Sequence, residues 1–346
     1  MILVTGATGK TGQAVIAALA ARGGHGLRAL VQPASQTSTA AKQLSSHADI
    51  IPGDLLNADS LAAACSGVQA LYHICPNVHP QEVAIGRLII EAARTAGVAR
   101  FVYHSVLHPQ AETMPHHWHK LRVEEMLCAA QLPFTILQPC AYMQNLLPDW
   151  RTITGRGVHS VPYPRDTRLS LIDLADLAAV AAKVLTEPGH LGATYELCGT
   201  PGLTQTELAE CLSGQLNRPV RAEAIALDDW EAAARTRGLN DYAVSTLLAM
   251  FRYYALHGLS GSPNVLRWLL DREPATLAAR GTSVAPRALR CCKPATKSRF
   301  MTTSRAGTAL QFLPARNSSK VIWKTGRHSQ PHWAAPAFMP CSTLQH

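Results

Sequence analysis

Gly6, Gly9 and Gly12 stand at three-residue intervals, behind a short apolar run over 2–5 and ahead of an Ala-rich stretch over 13–22. That stretch puts Val15, Ile16 and Leu19 on one helical face. A strand feeding a glycine turn that opens a helix is a device for gripping a pyrophosphate. The first glycine permits the tight turn, the second lets the backbone approach the phosphates, and the third lets helix and strand pack closely. Free N–H groups at the helix start face the anion. Dinucleotide binding is the expectation; a glycine-rich turn without a ligand is the alternative. Gly9-Lys10-Thr11 also mimics the end of a nucleoside-triphosphate loop, but that loop needs a glycine where Val4 stands. A triphosphatase is not expected.

Such a turn needs a sheet behind it. From 1 to about 140, apolar strand-like runs at 2–5, 27–31, 48–51, 70–74, 101–105 and 135–137 alternate with helical patterns near 11–22, 38–46, 58–65, 80–96 and 117–131. Alternation of this kind predicts an α/β fold, a Rossmann-type doubly wound parallel sheet covered on both faces, with ligand at the carboxyl ends of the strands. Beyond 140, Pro148, Gly155, Gly157, Pro162 and Pro164 mark loops. A helix over 173–186 and a strand over 194–197 follow, with the segment 172–198 expected to return to the first domain. Thr204 and Glu207 form a capping-box pattern at the head of a helix over 204–216. Helices near 228–237, 240–257 and 263–271 close the body. The expected division is a dinucleotide-binding domain over 1–140, a smaller mixed α/β substrate-covering region over 141–280, and a tail over 281–346.

Composition narrows the function. The chain has 346 residues, 47% of them apolar, enough for a packed core. Its net charge of +9 belongs to the tail: residues 281–346 hold ten Lys and Arg and no acid, leaving 22 basic and 23 acidic residues over 1–280, a net of −1. A near-neutral body offers no large basic face, so nucleic acid is not an expected partner except through the tail. That tail reads as disordered, with a basic arm or a frame-shifted extension as alternatives. No apolar run is long enough to span a membrane, and no secretory leader pattern opens the chain, so a cytoplasmic location is expected. Nine cysteines without a Cys-x-x-Cys pair read as free thiols. His104, His108, His116, His117 and His119 crowd together without an acidic or cysteine partner at ligand spacing, so no metal is expected. Gly258-Leu259-Ser260-Gly261-Ser262 lacks the spacing of a hydrolase elbow.

Several segments together resemble the NmrA-like group of atypical short-chain dehydrogenases: Gly6 to Gly12, Gly53-Asp54-Leu55, His117-Trp118-His119-Lys120 with Glu124, and Leu132 to Pro139. Tyr142-Met143-Gln144-Asn145, Asp173 to Ala178 and Arg272 to Thr276 extend the likeness over residues 1 to about 280. The group contains NAD(P)H-dependent quinone, azo-dye and triphenylmethane reductases, and proteins that only sense the redox state of the cofactor. The resemblance implies that Gly6, Thr8, Gly9, Lys10, Thr11 and Gly12 hold the pyrophosphate, with Asp54 and Leu55 beside the adenine. Cys75, Pro76 and Asn77 would lie near the nicotinamide half, Pro139, Cys140 and Tyr142 would border the nicotinamide, and Lys120 would reach its ribose. At the end of the second strand Gln32 stands where NAD-specific sites carry a carboxylate, which favours NADPH with NADH tolerated; Lys10 could supply charge for a 2′-phosphate.

Ordinary short-chain dehydrogenases pair Ser with Tyr-x-x-x-Lys. Ser105 and Lys120 fit, but His116 occupies the tyrosine position, one helical turn before Lys120. Imidazole titrates near neutrality, so His116 or His117 could donate a proton as hydride arrives, or simply pack. Tyr142 is a further candidate donor. The resemblance therefore implies an NAD(P)H-dependent reductase acting on a small aromatic or conjugated acceptor, a quinone or azo compound, in a pocket expected from Tyr142, Met143, Trp150 and the later helices. A non-catalytic NADP(H)-binding redox sensor is the alternative.

Overall fold

The computed structural model describes residues 1–277; the readings made for 281–346 lie outside the described residues. The first half runs β1 (Ile2–Val4), α1 (Lys10–Arg22), β2 (Leu27–Val31), α2 (Thr39–Leu44), β3 (Asp49–Pro52), α3 (Ala58–Cys65), β4 (Ala70–His73), α4 (Glu82–Thr95), β5 (Arg100–His104), α5 (Pro115–Ala129) and β6 (Phe134–Pro139). The second half runs β7 (Ala141–Tyr142), α6 (Trp150–Arg156), β8 (Val158–Val161), β9 (Leu171–Ile172), α7 (Leu174–Thr186), β10 (Thr194–Leu197), α8 (Gln205–Leu216), β11 (Arg221–Ala224), α9 (Leu227–Thr236), α10 (Asp241–His257) and α11 (Asn264–Leu270).

Seven strands form one parallel sheet in the order β10-β6-β5-β4-β1-β2-β3. This is the doubly wound Rossmann-type arrangement, with the order reversing between β1 and β4. Alternation along the strands divides the core in two, because successive side chains leave a strand on opposite faces. Ile2, Val4, Ala70, Tyr72 and Val102 join α1 and α7 on one side. Leu3, Leu71, Phe101 and Tyr103 join α3, α4 and α5 on the other. Val15, Ile16 and Leu19 of α1 are at most 1% exposed, and each such side chain contributes roughly 1.5–3 kcal/mol when buried. Those three residues fix the glycine turn against the sheet.

Between Pro148 and Pro164 the structure departs from the loops expected there: α6 and β8 lie in that stretch. Gly157 takes a left-handed φ of 67° and caps α6, so it stops a helix and is not a residue of a free loop. Two small parallel pairs, β8 with β11 and β7 with β9, which no apolar run in the sequence marks, stand beside the main sheet. Asp173 caps α7 by accepting from Ala175 N at 2.7 Å. The Thr204–Glu207 capping box is present, with Glu207 Oε2 accepting from Thr204 N at 2.7 Å.

Candidate active site

The glycine turn is built for close approach. Gly6 has a φ of +58°, and a Cβ there would come within 2.9 Å of the Ile74 carbonyl oxygen. A Cβ on Gly12 would lie 2.6 Å from Ala7 Cα, so only glycine lets α1 sit so near the turn. Gly9 caps α1 without any side-chain hydrogen bond, and no acidic residue stands in the first turn. The helix therefore presents free N–H groups and positive dipole to whatever lies before it. An anion fits there.

In front of this turn opens a cavity of about 1030 Å³. Gly6, Thr8, Gly9, Lys10, Thr11 and Gly12 line it, as do Gln32, Leu55, Cys75, Pro76 and Asn77. Pro139, Cys140, Tyr142, Ser105, His116 and Lys120 line it too. Asp54 stands apart from these: it is exposed, does not line the cavity, and its Oδ1 accepts from Leu56 N at 3.0 Å. Lys10 donates to Asn145 Oδ1 at 2.8 Å and lies 5.1 Å from the centroid of the Tyr142 ring. Its amine is thus engaged with the segment after β7.

Three buried networks stand behind the wall. Ser105 Oγ donates to Glu124 Oε1, and Gln138 Nε2 donates to both carboxylate oxygens at 2.9 and 3.0 Å. Burial pushes the Glu124 carboxyl above its ordinary value. Lys120 is ion-paired with Glu82 at 2.5 Å and donates to the His104 carbonyl at 3.0 Å. Tyr103 Oη also donates to Glu82, at 3.2 Å. The third network runs Tyr72–His104–Tyr142: Tyr72 Oη lies 2.7 Å from His104 Nδ1, and Tyr142 Oη lies 2.8 Å from His104 Nε2. Thr11 Oγ1 donates to the same Tyr142 oxygen at 3.4 Å. Glu82 and the His104 ring were missed in the sequence, Glu82 altogether.

The expected proton-donating histidines fare differently. Burial, and then the Lys120 ammonium, hold the His116 ring well below the usual imidazole range. Near neutrality it carries no imidazolium proton to give. His117 is 0% exposed, does not line the cavity, and its Nδ1 lies 3.2 Å from the His108 carbonyl. Burial lowers its pKa to about 4. His117 therefore packs, and His116 sits at the wall as a neutral ring with its Nδ1 3.6 Å from Glu82 Oε2.

The aromatic part of the cavity also differs from expectation. Met143 and Trp150 belong to a separate cluster with β9 and α8 and do not line it. Tyr163, Trp230, Phe251 and Tyr254 do. Trp230 and Phe251 meet edge-on with centroids 4.7 Å apart, and Tyr163 meets Tyr254 edge-on at 6.1 Å. Edge-to-face stacking leaves a rigid apolar wall suited to a flat ring. Among the described residues no group of three or more His, Cys, Asp and Glu converges as a metal site, and no helix is long and apolar enough to cross a membrane.

Set against known proteins, the sequence matches the model of the NmrA-like family over residues 1–284. It is 33% identical over 280 residues to an NAD(P)H azoreductase of Xenophilus azovorans, spanning 79% of this chain and 92% of that protein. It is 30% identical over 280 residues to quinone oxidoreductase 2 of Escherichia coli (strain K12), spanning 80% and 96%. An Escherichia coli NADPH-dependent quinone oxidoreductase solved with NADPH matches with a TM-score of 0.71 and 29% identity, over 80% of this chain and 97% of that one.

Proposed function

The chain belongs to the NmrA-like family, and from that premise we propose that it is an NAD(P)H-dependent reductase of a small aromatic or conjugated acceptor, a quinone or azo compound. The observation that carries this reading is the single cavity lined both by the Gly6–Gly12 turn and by the Tyr163, Trp230, Phe251 and Tyr254 rings. Gly6, Gly9, Gly12 and the start of α1 would hold the pyrophosphate. Leu55 would pack against the adenine, and Cys75, Pro76, Asn77, Pro139 and Cys140 would border the nicotinamide. Lys120, fixed by Glu82, would meet its ribose. The bound cofactor supplies a hydride.

Gln32, exposed at the end of β2, puts no carboxylate where a 2′-phosphate would lie. This favours NADPH and leaves NADH usable. The sheet, the turn and the cavity wall do the remaining work: they bind, orient and exclude water from one face of the acceptor.

Purified full-length protein with NADPH and a panel of quinones and azo dyes tests the reading through absorbance at the nicotinamide band. Oxidation that depends on the acceptor supports it. Tight NADPH binding without oxidation by any acceptor favours instead a redox sensor, for which the neutral His116 in the dehydrogenase tyrosine position speaks.

A further inference from the structure

We propose that the Tyr142 hydroxyl delivers a proton to the heteroatom of the acceptor, and that Tyr72 arms it by fixing the tautomer of His104. This rests on the reductase reading above and adds to it the donor, the two residues that position it, and the class of acceptor that needs it.

Tyr72 is 0% exposed, and among the described residues its hydroxyl has one hydrogen-bond contact, His104 Nδ1 at 2.7 Å. Were Nδ1 to carry the ring proton, the Tyr72 O–H would have no acceptor in the core, which costs about 1–3 kcal/mol. Tyr72 therefore donates, Nδ1 accepts, and the proton of the neutral ring resides on Nε2. Burial foremost, then the Lys120 charge, lowers the His104 pKa to about 3, so the ring stays neutral. Nε2–H then donates to Tyr142 Oη at 2.8 Å, and Thr11 Oγ1 donates to the same oxygen at 3.4 Å. With Thr11 Oγ1 donating in that long contact, both lone pairs of the Tyr142 oxygen are taken and its own proton is left without a partner in the wall. Tyr142 lines the cavity, so the proton is directed there.

The same donors prepare the site for the proton's departure. A phenolate at Tyr142 would be met by His104 Nε2–H, by Thr11 Oγ1–H and by the Lys10 ammonium 5.1 Å from its ring centroid. Donors already aimed at a developing anion need no reorganisation when it forms. Burial raises both phenols above their usual range, but only Tyr142 lines the cavity and has donors aimed at its oxygen, so the chain of transfer ends there.

A quinone carbonyl or an azo nitrogen gains two electrons with the hydride and needs one proton. The Tyr142 O–H bond breaks, the heteroatom–H bond forms, and cavity water returns a proton to the phenolate. A cationic triarylmethyl acceptor is neutralised by hydride alone and needs no such proton. The geometry therefore points to a neutral acceptor with a protonatable heteroatom.

Two measurements test this on the full chain. The first is ¹⁵N NMR of histidine-labelled protein without cofactor. It should find His104 as the Nε2–H tautomer, and Tyr72→Phe should release that preference; an Nδ1–H ring in the unsubstituted protein overturns the proposal whatever the enzyme reduces. The second is single-turnover oxidation of bound NADPH by a neutral quinone, compared with Tyr142→Phe. The variant should be slowed by about 100-fold or more, the range of general-acid assistance, with quinone KM little changed and the solvent deuterium effect of the parent lost. An unslowed variant, or one that keeps the full solvent effect, overturns it. Where the parent itself oxidises no NADPH the reductase reading fails, and the tautomer result still decides the arrangement of Tyr72 and His104.

Discussion

The Glu82 carboxylate meets the Lys120 ammonium at 2.5 Å with 1% and 4% of the two side chains exposed. Glu82 opens α4 and Lys120 lies mid-way along α5, so one ion pair ties two neighbouring helices behind the cavity. Two charges out of water gain from each other only what their desolvation costs, but either one alone is stranded. Glu82→Gln should destabilise the protein by about 3 kcal/mol. Adding Lys120→Met should recover much of that loss, because it removes the buried ammonium left without its partner. Urea denaturation of the two single variants and the double variant measures the coupling. Additive losses would mean that the pair contributes nothing specific.

On the proposed placement of the cofactor, Gln32 faces the 2′-phosphate. Gln32→Asp should place a carboxylate against a 2′-phosphate and weaken NADPH by about 10-fold or more, with NADH unchanged or improved. Gln32→Arg should move the ratio the other way. Titration of both cofactors by quenching of intrinsic fluorescence reads the ratio directly. Parallel changes for NADPH and NADH would place the 2′-phosphate away from residue 32.

Much of this is legible in the sequence. The Gly6–Gly12 turn announces itself because each glycine answers a local steric demand, and the strands of the sheet announce themselves because buried parallel strands are short continuous apolar runs. The aromatic wall was not legible. Tyr163, Trp230 and Phe251 come from distant segments whose spacing carries no signal, and Met143 and Trp150 looked equally suitable. Glu82 reads as an ordinary acidic residue of a helix's first turn, and only the packing of α4 on α5 buries it. His104 hid in a crowd of histidines. Its partner emerges from register: β4 and β5 pair Tyr72 with Val102, which sets His104 two residues on, on the same face. The α6–β8 stretch was hidden by Gly155 and Gly157, whose types suggest loop while Gly157 in fact ends a helix.

Gly12 lies inside α1, where alanine would ordinarily stabilise by about 1 kcal/mol over glycine. Here the added Cβ would sit 2.6 Å from Ala7 Cα and 2.9 Å from the Ala7 carbonyl oxygen. Backbone cannot yield as a flexible side chain does, so the helix must move off the turn. Gly12→Ala should therefore lower stability by about 1–3 kcal/mol, the ordinary cost of overpacking. Cofactor binding should fall with it, because the N–H groups of α1 move. Calorimetry with NADPH and a thermal melt check the two effects; an unchanged melt would show that α1 has room the structure does not reveal.

Acid should unfold this protein through its histidines. Burial lowers His73 and His104 to about 3 and His117 to about 4, and holds His116 well below the usual range. The unfolded chain takes up protons on these rings near pH 6.5, and the native rings refuse them until much lower. Stability is therefore complete above pH 6.5 and falls as the pH drops from 6.5 toward 4, by at most about 1.4 kcal/mol per pH unit for each ring. Glu124, with its carboxyl raised by burial, works in the opposite sense, but His159 and His190, also lowered by burial, add to the four rings against it. His117→Asn keeps a donor for the His108 carbonyl while removing the titrating ring. That variant should start less stable at pH 7.5, from the space left behind, yet lose about 1.4 kcal/mol less per pH unit on acidification. Urea midpoints at half-unit steps between pH 4.5 and 7.5 measure both. A variant whose acid slope equals the parent's would mean that His117 takes up its proton in the folded state as readily as in the unfolded one.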